Sequence, residues 1–546
     1  MSPALGADAS GFDVTMQIDV DQSLGPLQPI WRFFGADEPN YATMKDGEKL
    51  LAELGRLKPG SVYFRTHNLL TSGDGTPALK WGSTNAYTED AQGHPIYNWT
   101  IVDHIFDTYL ARGVRPYVEI GFMPQALSIQ PEPYRQDWRP GFKYEAIHGG
   151  WAFPPRDYSK WGELVYQWIR HCVERYGSKE VEQWYFETWN EANYPAYWYG
   201  TADEFYKLHD YAIEAVRRAL PTARVGGPDS AGSGGKFMDD FLTHVTRGTN
   251  PVTGSTGTPV DCLSIHAKGS ATFIEGHVQL NLGTHLRTID EGFAKIAAVP
   301  ELRNRPIVIG ESDPEACAAC QGPQLAYRNS TMYSSYTAAS FVRKQDLASR
   351  HQVNLEGALT WAFEFEDQRY FAGFRALASN GLDLPVLNVF RMFSLMNGDR
   401  IQASSSGALP LEQILTGSVR TQPDVGTFAS SDGKHIYIMA WHYHDDDVTG
   451  PDARIHLRAR GLDRQVKQMQ LTHYRIDQNY SNSYAAWQRI GSPLVLSEDQ
   501  YAQIEKSGQL TAMSPQSAVK ADHGSITLDF TLPRQAVSLL VLEARR

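Results

Sequence analysis

Eight short β-type runs, each followed by a helical pattern, recur between residues 30 and 364. They read IWRFFGA (30–36), SVYFRTHN (61–68), GVRPYVEIGF (113–122), QWYFETWNE (183–191), ARVGGPDS (223–230), VDCLSIHA (260–267), RPIVIGES (305–312) and LEGALTWAFE (355–364). The intervening stretches carry helix signals. In ADEFYKLHDYAIEAVRRAL (202–220), Phe205, Leu208, Tyr211, Ala212, Ala215, Val216 and Ala219 form one apolar face, and Pro221 closes it. Strand and helix in strict alternation select a parallel sheet covered by helices. Eight such units predict an α/β fold, a (β/α)8 TIM barrel over 28–397, with LPVLNVFRMFSLMNG (384–398) as its closing helix.

The texture changes at about residue 398. HIYIMAWHYH, ARIHLRARGL, QMQLTHYRID, SITLDFTL and AVSLLVLEA alternate apolar and polar residues and are split by polar turns, with no long helix evident. This predicts an accessory antiparallel β-sandwich over 398–546. The segment GFDVTMQIDV also alternates and precedes the barrel, so residues 11–27 are expected to join that sandwich. A chain of 546 residues is long enough for two such cores.

In a barrel of this type the functional side chains sit at the C-terminal ends of the strands. Those ends offer Arg65, His67, Glu119, Asn190, Glu191, His266, Glu311, Trp361 and Glu364. A glutamate at a strand end is more often a salt-bridged structural group, and Glu119 and Glu187 are read that way. Glu191 and Glu311 end the fourth and seventh strands, so they can face each other across the mouth. Two facing carboxylates suit glycoside hydrolysis: one donates a proton to the leaving oxygen and the other attacks the anomeric carbon. Arg65 is a cation near the nucleophile, Asn190 orients the sugar, and the aromatics after Glu191 form a wall.

Charge agrees with a neutral carbohydrate partner. With 50 basic and 62 acidic residues the net charge is −12, which disfavours nucleic acid and anionic membranes. No apolar run reaches transmembrane length and no signal peptide is visible, so a soluble chain is expected, cytoplasmic or exported. Four cysteines are too few for a disulfide scaffold. Cys317 and Cys320 read as a local disulfide or two thiols rather than a zinc site, which needs more ligands. HYHDDD (442–447) reads as a solvated hairpin tip, and GGPDSAGSGG (226–235) as a flexible loop after the fifth strand. The long stretch 123–155 is expected to wall the pocket with Trp138, Trp151 and Phe153. A metal-dependent barrel lyase or isomerase would gather its acids on neighbouring strands, and a decayed sugar-binding barrel would lack one of the two carboxylates. No metal and no cofactor are expected.

The ordered set FFGADEPNYAT (33–43), VYFRTHN (62–68), YVEIGFMPQAL (117–127), WYFETWNEAN (184–193), DCLSIHAKG (261–269), PIVIGES (306–312) and ALTWAFEFEDQ (358–368) resembles glycoside hydrolase family 39, whose members include β-D-xylosidases and α-L-iduronidases. The resemblance implies Glu191 as acid/base and Glu311 as nucleophile. It implies that Asn190 bonds the sugar 2-hydroxyl and that His67, His266 and Trp361 line the −1 subsite. Arg65, Lys268 and Glu366 complete the expected sugar contacts. Lys268 stands where family xylosidases carry Tyr, Ser312 and Asp313 follow the nucleophile where an aromatic is usual, and the loop DPEACAAC is atypical. The implied activity is a retaining exo-β-D-xylosidase acting on xylo-oligosaccharides, with α-L-arabinosidase side activity. An arabinosidase, an iduronidase-like enzyme or an endo-acting member is the alternative. Glu364, Glu366 and Asp367 in the strand-eight loop are expected to repel a uronate, whereas Lys268 could serve one.

Overall fold

The computed structural model describes residues 11–136, 138–142, 148–361 and 364–544. Eight parallel strands close into a barrel in chain order: Phe33–Ala36, Val62–Thr66, Val114–Ile120, Tyr185–Thr188, Arg224–Ser230, Cys262–Lys268, Pro306–Asp313 and Asn354–Trp361. Each falls on one of the eight β-type runs. The helices between them are closed by local chemistry. Asp157 caps Tyr158–Tyr176 by accepting from the Ser159 and Lys160 amides, and Gly177 at φ 82° ends it. Thr201 and Glu204 form a capping box on Ala202–Ala219.

The barrel interior is layered because strand side chains alternate faces. Phe33, Tyr63, Tyr117, Tyr185, Val308 and Leu359 form an apolar plug. Phe33 and Tyr63 stack at 5.1 Å, as do Tyr117 and Tyr185. Two residues further along the strands the same face carries Arg65, Glu119 and Glu187, all fully buried. The seventh strand breaks the two-residue period. Its register against the sixth shifts between Ile309 and Glu311, which brings both Val308 and Glu311 inward.

The strand Phe12–Pro26 joins a nine-stranded sheet with strands from Asp399 to Ala544. Pairing is antiparallel except between Phe12–Asp19 and Ala453–Arg460, which run parallel. Strands from both halves of the sheet build one core, including Val14, Ile18, Ile438, Ile455, Leu457 and Leu540. The sandwich is not free of helices: Leu411–Gly417, Ser483–Arg489 and Glu498–Gly508 interrupt it. HYHDDD is not a solvated tip. Asp445 is buried and accepts from the Leu282 and Val419 amides and from the Tyr443 hydroxyl at 2.7 Å. Asp446 accepts from Gln279 at 2.7 Å, so this segment fastens the sheet to the barrel. Cys317 and Cys320 form a disulfide. Among the described residues no helix is long and apolar enough to cross a membrane.

Candidate active site

The fourth strand ends in an unusual backbone. Trp189 at φ 70° and Glu191 at φ 47° both occupy the left-handed region, which L-residues enter at a cost and which clusters at functional sites. The Trp189 indole N–H donates to the Tyr197 carbonyl at 2.9 Å, and the Glu191 amide donates to the Asp229 carbonyl at 3.0 Å. This turn directs Glu191 into the barrel mouth, where it meets His266 Nδ1 at 2.7 Å.

Glu311 faces it from the seventh strand. Lys268 Nζ lies 2.7 Å from Glu311 Oε2, while His67 Nε2 is 3.4 Å, Arg65 Nη1 3.6 Å and His266 Nδ1 3.7 Å from Oε1. Burial opposes ionisation of Glu311, but the fields of Lys268, His266 and His67 outweigh it and hold the carboxyl well below the usual range. Donor atoms of Glu191, His266 and Glu311 all lie within 4.8 Å of one another.

Beneath the pair sits Arg65, fully buried. It contacts Glu187 and Asp229, reaches Glu119 at 2.7 Å and donates to Asn190 Oδ1 at 3.1 Å. Asn190 is thereby oriented, and its buried Nδ2 has no acceptor among the described residues. Glu187 also accepts from Tyr117 and Ser264 at 3.0 Å, and burial with the nearby Asp229 pushes it up to about 8. Glu119 is pushed by burial up to about 7. Both glutamates hold Arg65 in place, the structural role expected of them. His266 bridges Glu191 and Asp229, with Nε2 2.9 Å from Asp229. Burial opposes its charge, yet Asp229 and Glu311 raise it to about 10, so it is protonated at neutral pH. His67 is likewise raised to about 9 against burial, chiefly by Glu119 and Asp37.

Trp361 lies 4.6 Å from the His67 ring and 5.4 Å from the Arg65 guanidinium. Its amide donates to Asp313 at 3.0 Å, and Asp313 also holds Lys268 at 2.7 Å. From the long loop, Trp151 packs on Phe122 at 4.6 Å, which itself contacts His67 at 5.6 Å. Trp138 is buried, and Phe153 stacks on Tyr199 at 4.7 Å. Residues 137 and 143–147 of that loop lie outside the described residues.

The structure therefore brings together Arg65, His67, Asn190, Glu191, His266, Lys268, Glu311 and Trp361. Glu366 is not among them: its carboxylate accepts from the Asp46 amide at 2.6 Å, at the start of the helix Lys45–Leu57. A carboxylate there is favoured by the free amides of a helix N-terminus. Glu364 is buried and accepts from the Gly381 amide at 2.6 Å. Each of these two acids spends one carboxylate oxygen on a backbone amide. Asp229 belongs to the site although GGPDSAGSGG reads as a flexible loop. It ends the fifth strand, so the strand-end rule applied to that run points to it.

The family model for glycosyl hydrolases family 39 matches residues 14–522. A β-xylosidase of Geobacillus stearothermophilus is 26% identical, over 94% of this chain and 93% of that protein. An α-L-iduronidase of Mus musculus is 24% identical, over 96% of this chain and 80% of that protein. The crystal structure of a monomeric β-xylosidase from Caulobacter crescentus CB15 superposes with a TM-score of 0.74 at 21% identity, covering 97% of this chain and all of that one. With the strand-end carboxylates in a closed barrel and a family match over nearly the whole length, this chain belongs to the glycosyl hydrolases of family 39.

Proposed function

We propose that this glycoside hydrolase is a retaining exo-β-D-xylosidase that releases terminal xylose from xylo-oligosaccharides, with some α-L-arabinosidase activity. The observation that carries the mechanism is the approach of the Glu191 and Glu311 donor atoms to within 4.8 Å. Retaining enzymes hold their carboxyl groups about 5 Å apart, too close for a water between sugar and base. Glu311, kept ionised by Lys268 and the two histidines, attacks the anomeric carbon. As that bond forms, the bond to the leaving oxygen breaks and takes the proton carried by the Glu191–His266 pair. A water then enters, gives its proton back to Glu191 and displaces Glu311, restoring the starting configuration. Asn190 Nδ2 is a donor suited to the 2-hydroxyl. The donor set could surround a divalent cation, but Lys268 and protonated His266 already neutralise it. We assign catalysis to residues 28–397, with 398–546 and the strand 11–27 as the accessory sandwich.

Trapping with a fluorosugar followed by peptide mapping should label Glu311, and Glu311→Gln should lose at least about a thousandfold in turnover. Label elsewhere defeats the assignment. Glu191→Ala should lose far more on alkyl than on nitrophenyl glycosides, and azide should restore rate as a glycosyl azide. An NMR time course should show the retained anomer first.

One observation favours a second reading. Lys268 places an ammonium 2.7 Å from Glu311 at the mouth of the barrel. That is compatible with an iduronidase-like substrate carrying a carboxylate. Comparison of kcat/KM on nitrophenyl β-xyloside, α-arabinoside, β-glucoside and an α-iduronide decides between them.

A further inference from the structure

Beyond His67 the site ends in a narrow recess of about 10 Å³, lined among others by Asp37, Lys80, Trp81, Phe122, Trp151 and Tyr197. Asp37 follows the first barrel strand directly, whereas Lys80 comes from the loop after the second. Their side chains form an ion pair, and both residues are buried, at 4% and 7% exposure. Asp37 also lies 3.0 Å from His67 Nδ1, and the other nitrogen of that ring is 3.4 Å from Glu311. One imidazole therefore spans the gap between Asp37 and the nucleophile. The Trp151 indole N–H, in the same wall, is buried with no acceptor among the described residues.

A buried ion pair contributes little net stability, because desolvation offsets the attraction. Its place one ring away from the nucleophile is better explained by recognition. A pyranose bound with C1 at Glu311 carries its remote hydroxyls on the side away from C1. A single hydroxyl can donate to a carboxylate and accept from an ammonium at once, so one such group satisfies both partners. A recess of this size holds about one water-sized group, so it admits a hydroxyl and stops a chain that continues through that oxygen.

We propose that the Asp37–Lys80 pair determines specificity at the blind end of the pocket, binding one remote hydroxyl of the terminal sugar, the 3- or the 4-hydroxyl. The proposal rests on the exo-acting reading above and names the residues that enforce it. Glu38 supports the arrangement by accepting from the Lys80 amide, and Gln136 donates to the Lys80 carbonyl.

The test is a cycle between protein and substrate. On whichever nitrophenyl pyranoside the enzyme turns over best, kcat/KM is measured for the parent, its 3-deoxy and its 4-deoxy analogue. The wild type should lose about a hundredfold or more on at least one analogue, since a site built to bond a hydroxyl strongly rejects its absence. In Asp37→Asn and Lys80→Met that ratio should collapse to within about threefold, with fluorosugar labelling of Glu311 retained. Unchanged ratios in the folded variants overturn the proposal and leave the pair as a structural staple. If neither variant folds, the wild type decides alone: equal kcat/KM on parent and both deoxy analogues overturns it. A best substrate that is internal in a chain sinks the exo reading, whereas good exo activity with no deoxy discrimination sinks only this inference.

Discussion

Lys268 sets the charge of Glu311. Its ammonium lies 2.7 Å from both Glu311 and Asp313, and Arg375 fixes Asp313 from the far side at 3.2 Å. The cation favours the carboxylate over the acid, so Glu311 stays ionised well into acid. Removing the positive charge raises the carboxyl pKa and lowers the ionised fraction at low pH. Lys268→Met should therefore move the acidic limb of kcat/KM to higher pH by about one unit or more, while Lys268→Arg should not. A pH–rate profile on a nitrophenyl glycoside checks this, and an unmoved acidic limb in Lys268→Met refutes it. At this scale the sequence is informative for strand ends. Arg65, His67, Asn190, Glu191, His266 and Glu311 come together at the mouth because position along a barrel strand fixes where a side chain points. Lys80 is not found, because nothing local marks a loop residue that pairs with Asp37 across 43 positions. Glu366 shows the converse: its carboxylate accepts from the Asp46 amide, a backbone partner that composition does not reveal.

The helix Thr331–His351 shows what an element can carry at a cost. Lys344 on it is fully buried, sits 4.0 Å from the Phe341 ring, and its Nζ has no hydrogen-bond partner among the described residues. Burial lowers its pKa from 10.5 to about 7, with Asp313 too weak to compensate. The sign follows from proton uptake. Between about pH 7 and the unfolded value the unfolded chain binds the proton and the folded chain does not, so stability rises with pH across that window. The penalty is complete below about pH 7 and vanishes above the unfolded value. Lys344→Met should raise Tm by several degrees at neutral pH, a gain on the order of 3 kcal/mol that shrinks steadily toward about pH 10. Thermal melts across that range test it, and a gain independent of pH would show that packing rather than charge is the cause. The eight barrel strands are legible because alternation with helices repeats eight times and no single ambiguous run matters. The helices Ser483–Arg489 and Glu498–Gly508 are short and lie among alternating strands, so periodicity hides them. Their caps are readable, with Asn482 on the first and a Ser497–Gln500 capping box on the second.

Barrel and sheet meet in one continuous core. Tyr437, Met439, Trp441, Val537 and Leu539 of the sheet belong to the same buried cluster as Phe341, Phe390 and Phe393 of the barrel helices. The change of texture at about residue 398 reveals two architectures but is silent on this, since a sheet face that packs on helices alternates just like one that faces water. Asp424 locks the junction. It is fully buried and accepts from Arg343 at 2.9 Å, from the Leu409 amide at 2.8 Å and from the Trp441 indole at 2.9 Å. Truncating it leaves the Leu409 amide and the Trp441 indole without an acceptor, whereas Arg343 keeps the Leu409 carbonyl at 2.9 Å, and each buried orphan costs roughly 1–3 kcal/mol. A shared core also means that neither part keeps its apolar face covered alone. Asp424→Ala should therefore lower Tm by several degrees while unfolding remains a single calorimetric transition, because loosening the junction destabilises both parts together. A fragment of residues 28–397 should be insoluble or molten, with its helix faces exposed to solvent. Two resolved transitions in the full chain, or a soluble fragment with native-like activity, would show instead that the barrel is stable by itself and that the sheet is an appendage.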